Sequence, residues 1–388
     1  MEAIVELTPE VLLDPKFLDS GCAVGLPAGR TQPAEVADAL SAMSNNGQSV
    51  VAFATSGTTG ASKWVVLSKQ ALRFSAEAVC RHLEVKRGER WICPLPVGHV
   101  GGAGVYLRAL VSGGLVVPWD GKWSAKKFQN TCAGGDVHWA SLVPTQVVDL
   151  VANGCEAPGT LRGVVVGGGA LDAEMKRCAV DLGWPILTSF GMTETASQIA
   201  TELPGSGGRM EVIDGWDVRV DESSTLQLRG EAMFSGWLEP DDDGEFVMRS
   251  LMNDDGWFAT QDRVELSHVG GKTFLRPCGR VDDFVKVLGE LISLQRLEIE
   301  LHRIVRERGG EMESVAVVAL PDERMGRRPV MVVEDSQVEA DEWMKLFNKS
   351  EIIPVERLTE VIFVKGFPRS ALGKIRRNRL MEMVLDDR

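Results

Sequence analysis

The sequence predicts two linked folds: a large N-terminal α/β domain with an antiparallel β subdomain, and a small C-terminal α+β domain. Three observations predict this. From residue 50 to about 200, apolar strand-like runs alternate with helical patterns, as in a sheet with crossover helices. From about 211 to 278, short alternating runs such as Val218-Arg219-Val220 and Leu226-Gln227-Leu228 are broken by turn clusters at 241–244 and 253–256, which reads as antiparallel β structure. After Arg280, Leu294, Leu297, Leu301 and Ile304 recur at helical spacing, followed by strand-like runs at 314–320 and 330–334. The domains are therefore set at 1–279 and 280–388, with the β-rich part at about 211–279 and the joint at Gly279-Arg280-Val281-Asp282-Asp283.

Residues 1–49 read as a short lead-in, with a helix over 34–43 that Asn45-Asn46-Gly47 ends. Val50 to Ala54 is a buried strand and Trp64 to Leu67 a second one, with a polar loop between them. Ser68 is the N-cap of a helix running to about Leu83. Another helix starts at Pro144, a good first-turn residue, and carries Val147, Val148 and Val151 on one side. Val164-Val165-Val166 is a strand running into Gly167-Gly168-Gly169-Ala170, and a helix follows from an Asp172 cap to a Gly183 stop. The run Pro185-Ile186-Leu187-Thr188 is a short strand.

With 388 residues the chain can bury a large core. A net charge of −13 excludes general nucleic-acid binding, so an anionic substrate must be held by local positive charge. The acidic start Met1-Glu2-Ala3-Ile4-Val5-Glu6 lacks the layout of a secretory signal, and no apolar run approaches the ~20 residues of a membrane helix. Seven scattered cysteines without CxxC spacing read as reduced thiols in a cytoplasm. Five dispersed histidines offer no protein-built metal centre. Monomer and homodimer both stay open.

The loop Thr55-Ser56-Gly57-Thr58-Thr59-Gly60-Ala61-Ser62-Lys63 is the strongest chemical signal. Its glycines let the backbone come close to a ligand, its hydroxyls donate, and Lys63 supplies positive charge, so the natural guest is a polyphosphate. The mononucleotide-kinase pattern fails, because Ser62 precedes Lys63 and Trp64 follows it. In Ser189-Phe190-Gly191-Met192-Thr193-Glu194-Thr195, Gly191 allows a tight strand-end turn, Thr193 offers a hydroxyl to phosphate, and Glu194 is a hard oxygen ligand suited to Mg²⁺. On its own, a Thr-Glu pair after a glycine is most often a helix cap. Asp262 alone would be a turn former at a strand end, and His99, in the bend from Pro94 to Gly102, a structural histidine.

Taken in order, these stretches resemble the acyl-adenylate-forming, or AMP-binding, enzymes. The first loop matches TSGTTGxPK with Ser62 in place of proline, and 189–195 match [Y/F]GxTE. Thr260-Gln261-Asp262 matches [S/T]GD, with Gln261 for glycine. The stretch 279–290 matches GRxDDxIKxxGE, with Val285 for isoleucine. Pro368-Arg369-Ser370-Ala371-Leu372-Gly373-Lys374 matches PxTxxGK, with Ser370 for threonine.

The resemblance implies ATP, Mg²⁺ and coenzyme A as cosubstrates and metal. The nucleotide would be held by Thr55, Ser56, Gly57, Thr58, Thr59, Gly60, Lys63, Ser189, Phe190, Gly191 and Thr193. Gly168, Gly169 and Ala170 would lie on the adenine, Asp262 on the ribose, and Arg280 on ribose or phosphate. Glu194 would be the Mg²⁺ ligand, and Lys374, with Thr193 and Glu194, would serve adenylate formation. Asp282 would be the pivot of a mobile small domain, and Lys286 and Gly289 would belong to the hinge and coenzyme A tunnel, where only a missing side chain leaves room. Arg376, Arg377 and Arg379 would favour coenzyme A phosphates.

His99, Ser141, Thr145 and Gln146 would meet the acyl group. Their segments look most like those of the o-succinylbenzoate–CoA ligases of menaquinone synthesis. The implied reaction joins an aryl carboxylic acid, foremost 2-succinylbenzoate, to coenzyme A through an acyl-adenylate. Typical members carry about a hundred more residues before the phosphate loop. Another acyl-CoA ligase, a stand-alone enzyme loading a carrier protein, and a non-catalytic nucleotide-binding protein are the alternatives.

Overall fold

The computed structural model describes the chain except residues 1–4, 20–24, 28–33, 46, 48, 56–62, 205, 207, 242–244, 251, 254, 335–338, 370–374 and 387–388. Two compact units result. One takes Ala61–Thr260 and Val264–Pro277 with the described chain before them; the other takes Gln261–Arg263 and Cys278–Arg388.

The first unit opens with β1 (Val5–Leu7), α1 (Pro9–Leu13), α2 (Pro15–Asp19), β2 (Gly25–Pro27), α3 (Ala34–Asn45), β3 (Val50–Thr55) and β4 (Lys63–Ser68). The 1–49 segment is thus more than a lead-in, since β1 pairs parallel with β2 and β2 with β3. Next come α4 (Lys69–His82), β5 (Arg90–Ile92), α5 (Val100–Ser112), β6 (Leu115–Val117), α6 (Ala125–Gly134) and β7 (Trp139–Leu142). They are followed by α7 (Pro144–Ala152), β8 (Gly163–Val166), α8 (Ala173–Asp181) and β9 (Ile186–Met192). The β-rich part is β10 (Ser197–Glu202), β11 (Met210–Val212), β12 (Trp216–Val220), β13 (Thr225–Gly230), β14 (Gly236–Pro240), β15 (Phe246–Arg249), β16 (Phe258–Val269) and β17 (Lys272–Arg280).

Residues 50–200 do not make one sheet, which corrects the sequence reading. β3 and β4 form an antiparallel hairpin, Val50 opposite Ser68 and Thr55 opposite Lys63, in a sheet ordered β1-β2-β3-β4-β14-β15. The physical reason is length: parallel pairing needs a crossover of a dozen or more residues, and the 56–62 loop is too short. The second sheet runs β12-β13-β16-β17-β11-β10-β9-β8-β7-β5-β6. Its β9-β8-β7-β5-β6 portion is parallel, and from β9 to β10 it turns antiparallel.

Alternation along each parallel strand sends residues to opposite faces. Trp91, Trp139, Val165 and Leu187 pack with α4 and α5, and Ile92, Ala140, Val164, Val166 and Ile186 pack with residues of α6, α7 and α8. The helices start where the caps predict: Ser68 accepts the Ala71 N–H, and Asp172 accepts those of Glu174 and Met175. Pro144 is the first residue of α7. Among the described residues, no helix is long and apolar enough to cross a membrane, and six cysteines are free thiols.

The second unit contains β18 (Phe284–Val287), β19 (Glu290–Ser293), α9 (Leu294–Glu307), β20 (Val315–Asp322), β21 (Gly326–Val333), α10 (Ala340–Phe347), β22 (Val361–Phe363) and α11 (Arg377–Asp386). Leu294, Leu297, Leu301 and Ile304 are all buried, as their spacing requires. β20 and β21 pair antiparallel from Val315 opposite Val333, and β22 joins β21 in parallel. Val315, Val317 and Ala319 share a core with α9 and α10, while Ala316, Val318 and Leu320 pack with Leu380 and Val384 of α11.

Candidate active site

The carboxyl ends of the parallel strands gather the loops that the motifs occupy. After β5 comes the bend at 93–99, after β7 the turn at Val143, after β8 the glycines 167–169, and after β9 the turn Thr193–Thr195. β5 and β7 are neighbours, yet the crossover from β5 runs to β6 on one side and that from β7 to β8 on the other. Ligand crevices of open α/β sheets form at such switch points.

Each loop is shaped by close packing. A side chain on Gly102 would meet the Pro96 carbonyl oxygen at 2.2 Å, so that glycine lets the bend fold onto α5. Gly168, at φ +80°, lies beside Val143, and Gly169 lies beside Pro144. The Ser189 hydroxyl donates to the Val166 carbonyl at 3.1 Å, fastening β9 to the end of β8. Gly168, Gly169 and Ala170 are exposed, and Ser189 and Phe190 half-buried.

Gly191 is not in a turn. It lies in extended β9, where a side chain would strike the Ser197 carbonyl oxygen at 1.8 Å across a shift of register in β10. The turn comes later, at Thr193–Thr195, and Ala196 (φ 53°) and Ser197 (φ 123°) reverse the chain into β10. Thr195 is fully buried, and its hydroxyl oxygen accepts the Met192 N–H at 3.1 Å. That leaves Thr193 and Glu194 on the partly exposed side.

Glu194 is held at two points. Its carbonyl accepts the Phe234 N–H at 2.9 Å, and its Oε1 accepts the Trp237 indole N–H at 3.2 Å. Lys63 sits on the same indole, its Nζ 5.2 Å from the ring centroid, and also pairs with Glu239 at 2.8 Å. The structure therefore brings Lys63 and Glu194 together, 131 residues apart in sequence, through a tryptophan that sequence reasoning missed.

Among the described residues, no three His, Cys, Asp or Glu side chains gather around a metal-sized space. One partly exposed carboxylate beside a lysine fits Mg²⁺ all the same, because this ion keeps its waters and is commonly held by one or two carboxylates together with substrate phosphates. Thr55 pairs with Lys63 at the hairpin end. Ser56, Gly57, Thr58, Thr59, Gly60 and Lys374 lie outside the described residues.

On the acyl side, His99 is half-buried at the N-cap of α5, Ser141 is buried in β7 and Thr145 is exposed. Gln146 is buried and its Oε1 accepts the Val143 N–H at 3.0 Å, so it caps α7. The residue missed here is Arg108, the sole charge in the thirteen residues of α5. It is 2% exposed, its Nη2 donates to Ser197 Oγ at 3.0 Å, and its Nε has no hydrogen-bond partner among the described residues. Its guanidinium runs back past Gly104, toward the helix start and the carboxyl ends of the strands. Burial holds its pKa below the ordinary arginine value. A desolvated guanidinium with an unused donor fits an anion.

In the second unit, Asp262 lies within β16, not at a strand end, and stands 3.9 Å from Arg280. Gln261 is extended there, so replacing glycine imposes no backbone strain. Gly289 turns the β18–β19 hairpin at φ +87°, and a side chain on it would meet nothing within 4 Å among the described residues of its own unit. The turn by itself therefore favours glycine here. Lys286 is exposed. Asp282 lies in the short helical turn Val281–Asp283. Arg377 is committed inward, to Asp283, to Glu298 at 3.0 Å and to the Val317 carbonyl at 3.2 Å, which corrects its assignment to coenzyme A.

A family model described as AMP-binding enzyme matches residues 20–229. The 2-succinylbenzoate–CoA ligase of Salmonella typhimurium is 34% identical, over 75% of this chain and 60% of its own length. That of Listeria monocytogenes is 27% identical, over 84% of this chain and 68% of its own. The chain thus spans about 60–68% of the length of these relatives. Among solved structures, o-succinylbenzoate CoA synthetase (MenE) from Bacillus subtilis with the acyl-adenylate OSB-AMP superposes at TM-score 0.74 and 20% identity, over 96% of this chain and 81% of that one. ATP-bound MatB from Rhodopseudomonas palustris superposes at 0.75 and 18%, over 100% and 90%. These likenesses are of fold.

Proposed function

The chain belongs to the AMP-binding enzyme family, and on that premise we propose that it is an AMP-forming carboxylate–CoA ligase working through an acyl-adenylate. Its acid is 2-succinylbenzoate, and its products are 2-succinylbenzoyl-CoA, AMP and diphosphate, in menaquinone biosynthesis. The observation that carries the reading is Lys63 and Glu194 meeting on one indole at the end of the parallel sheet. The activities named for the relatives supply the choice of acid. Arg108 supports it, as a buried cation suited to an acid with a second carboxylate.

In the first half, a carboxylate oxygen bonds to the α-phosphorus of ATP, and the bond from that phosphorus to the diphosphate oxygen breaks. Lys63, the hydroxyls and N–H groups of the 55–62 loop, and Lys374 offset the charge that grows on the phosphates. Bound Mg²⁺, held through Glu194, supplies further charge neutralisation there. In the second half, the coenzyme A sulfur gives up its proton and bonds to the acyl carbon, and AMP departs with the electron pair. Residues 1–279 serve as the adenylation domain and 280–388 as the small domain, with the hinge near Asp282; the division of the chain at Cys278 supports this. All reactants are small molecules of the cytoplasm.

ATP–pyrophosphate exchange over a panel of carboxylic acids tests the reading. Exchange is expected with 2-succinylbenzoate, followed by thioester formation on free coenzyme A. Exchange without transfer to coenzyme A points to a carrier-protein acceptor, and no exchange with any acid overturns the enzyme reading.

A further inference from the structure

Resting on that reading of Lys63 and Glu194, we propose that Trp237 is a positioning residue joining the phosphate-binding and metal-binding halves of the site, and that Glu239 is the counter-ion Lys63 must leave to meet ATP. Two properties of an indole are used at once. Its N–H donates to Glu194 Oε1 at 3.2 Å, which fixes the direction of the carboxylate, and its ring carries the Lys63 ammonium at 5.2 Å.

The indole itself is locked. Its ring centroid is 5.1 Å from that of Phe234 and 6.0 Å from that of Phe258, which are themselves 5.0 Å apart. Ser235 donates its N–H to the Val66 carbonyl at 2.8 Å, tying the approach to β14 onto β4. Antiparallel pairing of Trp237 with Val65 and Leu238 with Trp64 puts Glu239 opposite Lys63. Residues 237 and 239 share one face of the strand, so the ring and the carboxylate reach the same lysine.

Glu239 is also tied to Arg249 at 3.0 Å, and its side chain is 20% exposed against 36% for Lys63. It therefore stays in place when Lys63 moves. Phosphate oxygens and the Glu239 carboxylate compete for one ammonium, while the ring face keeps that ammonium near Glu194 in either state. The support is built before ATP arrives, which lowers the cost of assembling the site.

Phenylalanine at 237 keeps the ring face and removes the N–H. For Trp237→Phe, calorimetric titration should show ATP affinity about tenfold weaker with Mg²⁺ or Mn²⁺ and unchanged when the metal is chelated, as loss of a hydrogen bond to a charged group requires. The KM for ATP rises with it and the KM for the acid does not. Glu239→Gln should strengthen metal-free ATP binding severalfold. Equal weakening with and without metal in Trp237→Phe makes the indole mere packing and overturns the proposal. So does unchanged or weaker metal-free binding in Glu239→Gln, a readout that stands even if the tryptophan variant misfolds. If the unsubstituted protein shows no metal-dependent ATP binding, the proposed function falls too; if it binds and the variants match it, only this inference falls.

Discussion

Gly191 shows how far a single residue can be read from sequence. Its place in the motif was legible, but its reason was not, because the Ser197 carbonyl that forbids a side chain comes from the next strand across a register shift. Gly191→Ala should destabilise the first unit by about 1–3 kcal/mol in urea unfolding, through overpacking against backbone, and should weaken metal-dependent ATP binding by displacing Glu194. Glu89 gives a second case. It is 7% exposed and accepts the Trp139 indole N–H at 2.7 Å, with Arg162 at 2.5 Å. Burial pushes its carboxyl up, but Trp139, the Lys86 N–H and Arg162 outweigh it and hold the pKa below the ordinary carboxylate value. Its stabilisation is therefore complete above the unfolded value and is lost as pH falls through the folded one. Glu89→Gln should cost roughly 1–3 kcal/mol at pH 7, and the gap to the parent should close as pH falls through the lowered folded-state pKa in unfolding curves taken across pH.

At the scale of elements, caps and periodicity were the reliable signals, because they act within one or two turns of chain. Ser68 is such a cap, and its oxygen accepts the Ala71 N–H at 3.0 Å. Ser68→Ala should lower stability by about 1 kcal/mol, read as a fall in urea midpoint with an unchanged slope. Strand partners were less legible. Residues 50–54 and 64–67 are readable as strands, yet β14, about 170 residues later, is what places Trp237 and Glu239 beside Lys63. The same run of apolar residues fits either a central parallel strand or a hairpin arm, and only loop length separates them. Asp262 by itself reads as a turn former at a strand end; β16 instead continues to Val269.

Over the whole molecule, each unit carries its own buried clusters. Leu301, fully buried on α9, belongs to a core cluster whose described members all lie in the second unit. Leu301→Ala should therefore remove about 2–5 kcal/mol from that unit alone. Calorimetry would record the loss, while hydrogen exchange of amides in β7, β8 and β9 stays at the parent level. A uniform loss of protection through both units would show that they unfold as one.

Sequence by itself determined the family, the α/β and α+β composition and the helix starts, and it singled out Lys63, Thr193 and Glu194 as candidates, because motifs and caps are local and depend on spacing along the chain. Tertiary structure alone decided that the phosphate-loop strand belongs to a hairpin sheet, that Gly191 serves a cross-strand contact, and that Arg377 is spent inside the fold. It alone revealed Trp237, Glu239 and Arg108, whose contacts with Glu194, Lys63 and Ser197 bridge dozens of residues or more. No periodicity along a chain encodes which distant carboxylate, ring or carbonyl a side chain will meet; that is set when the sheets close.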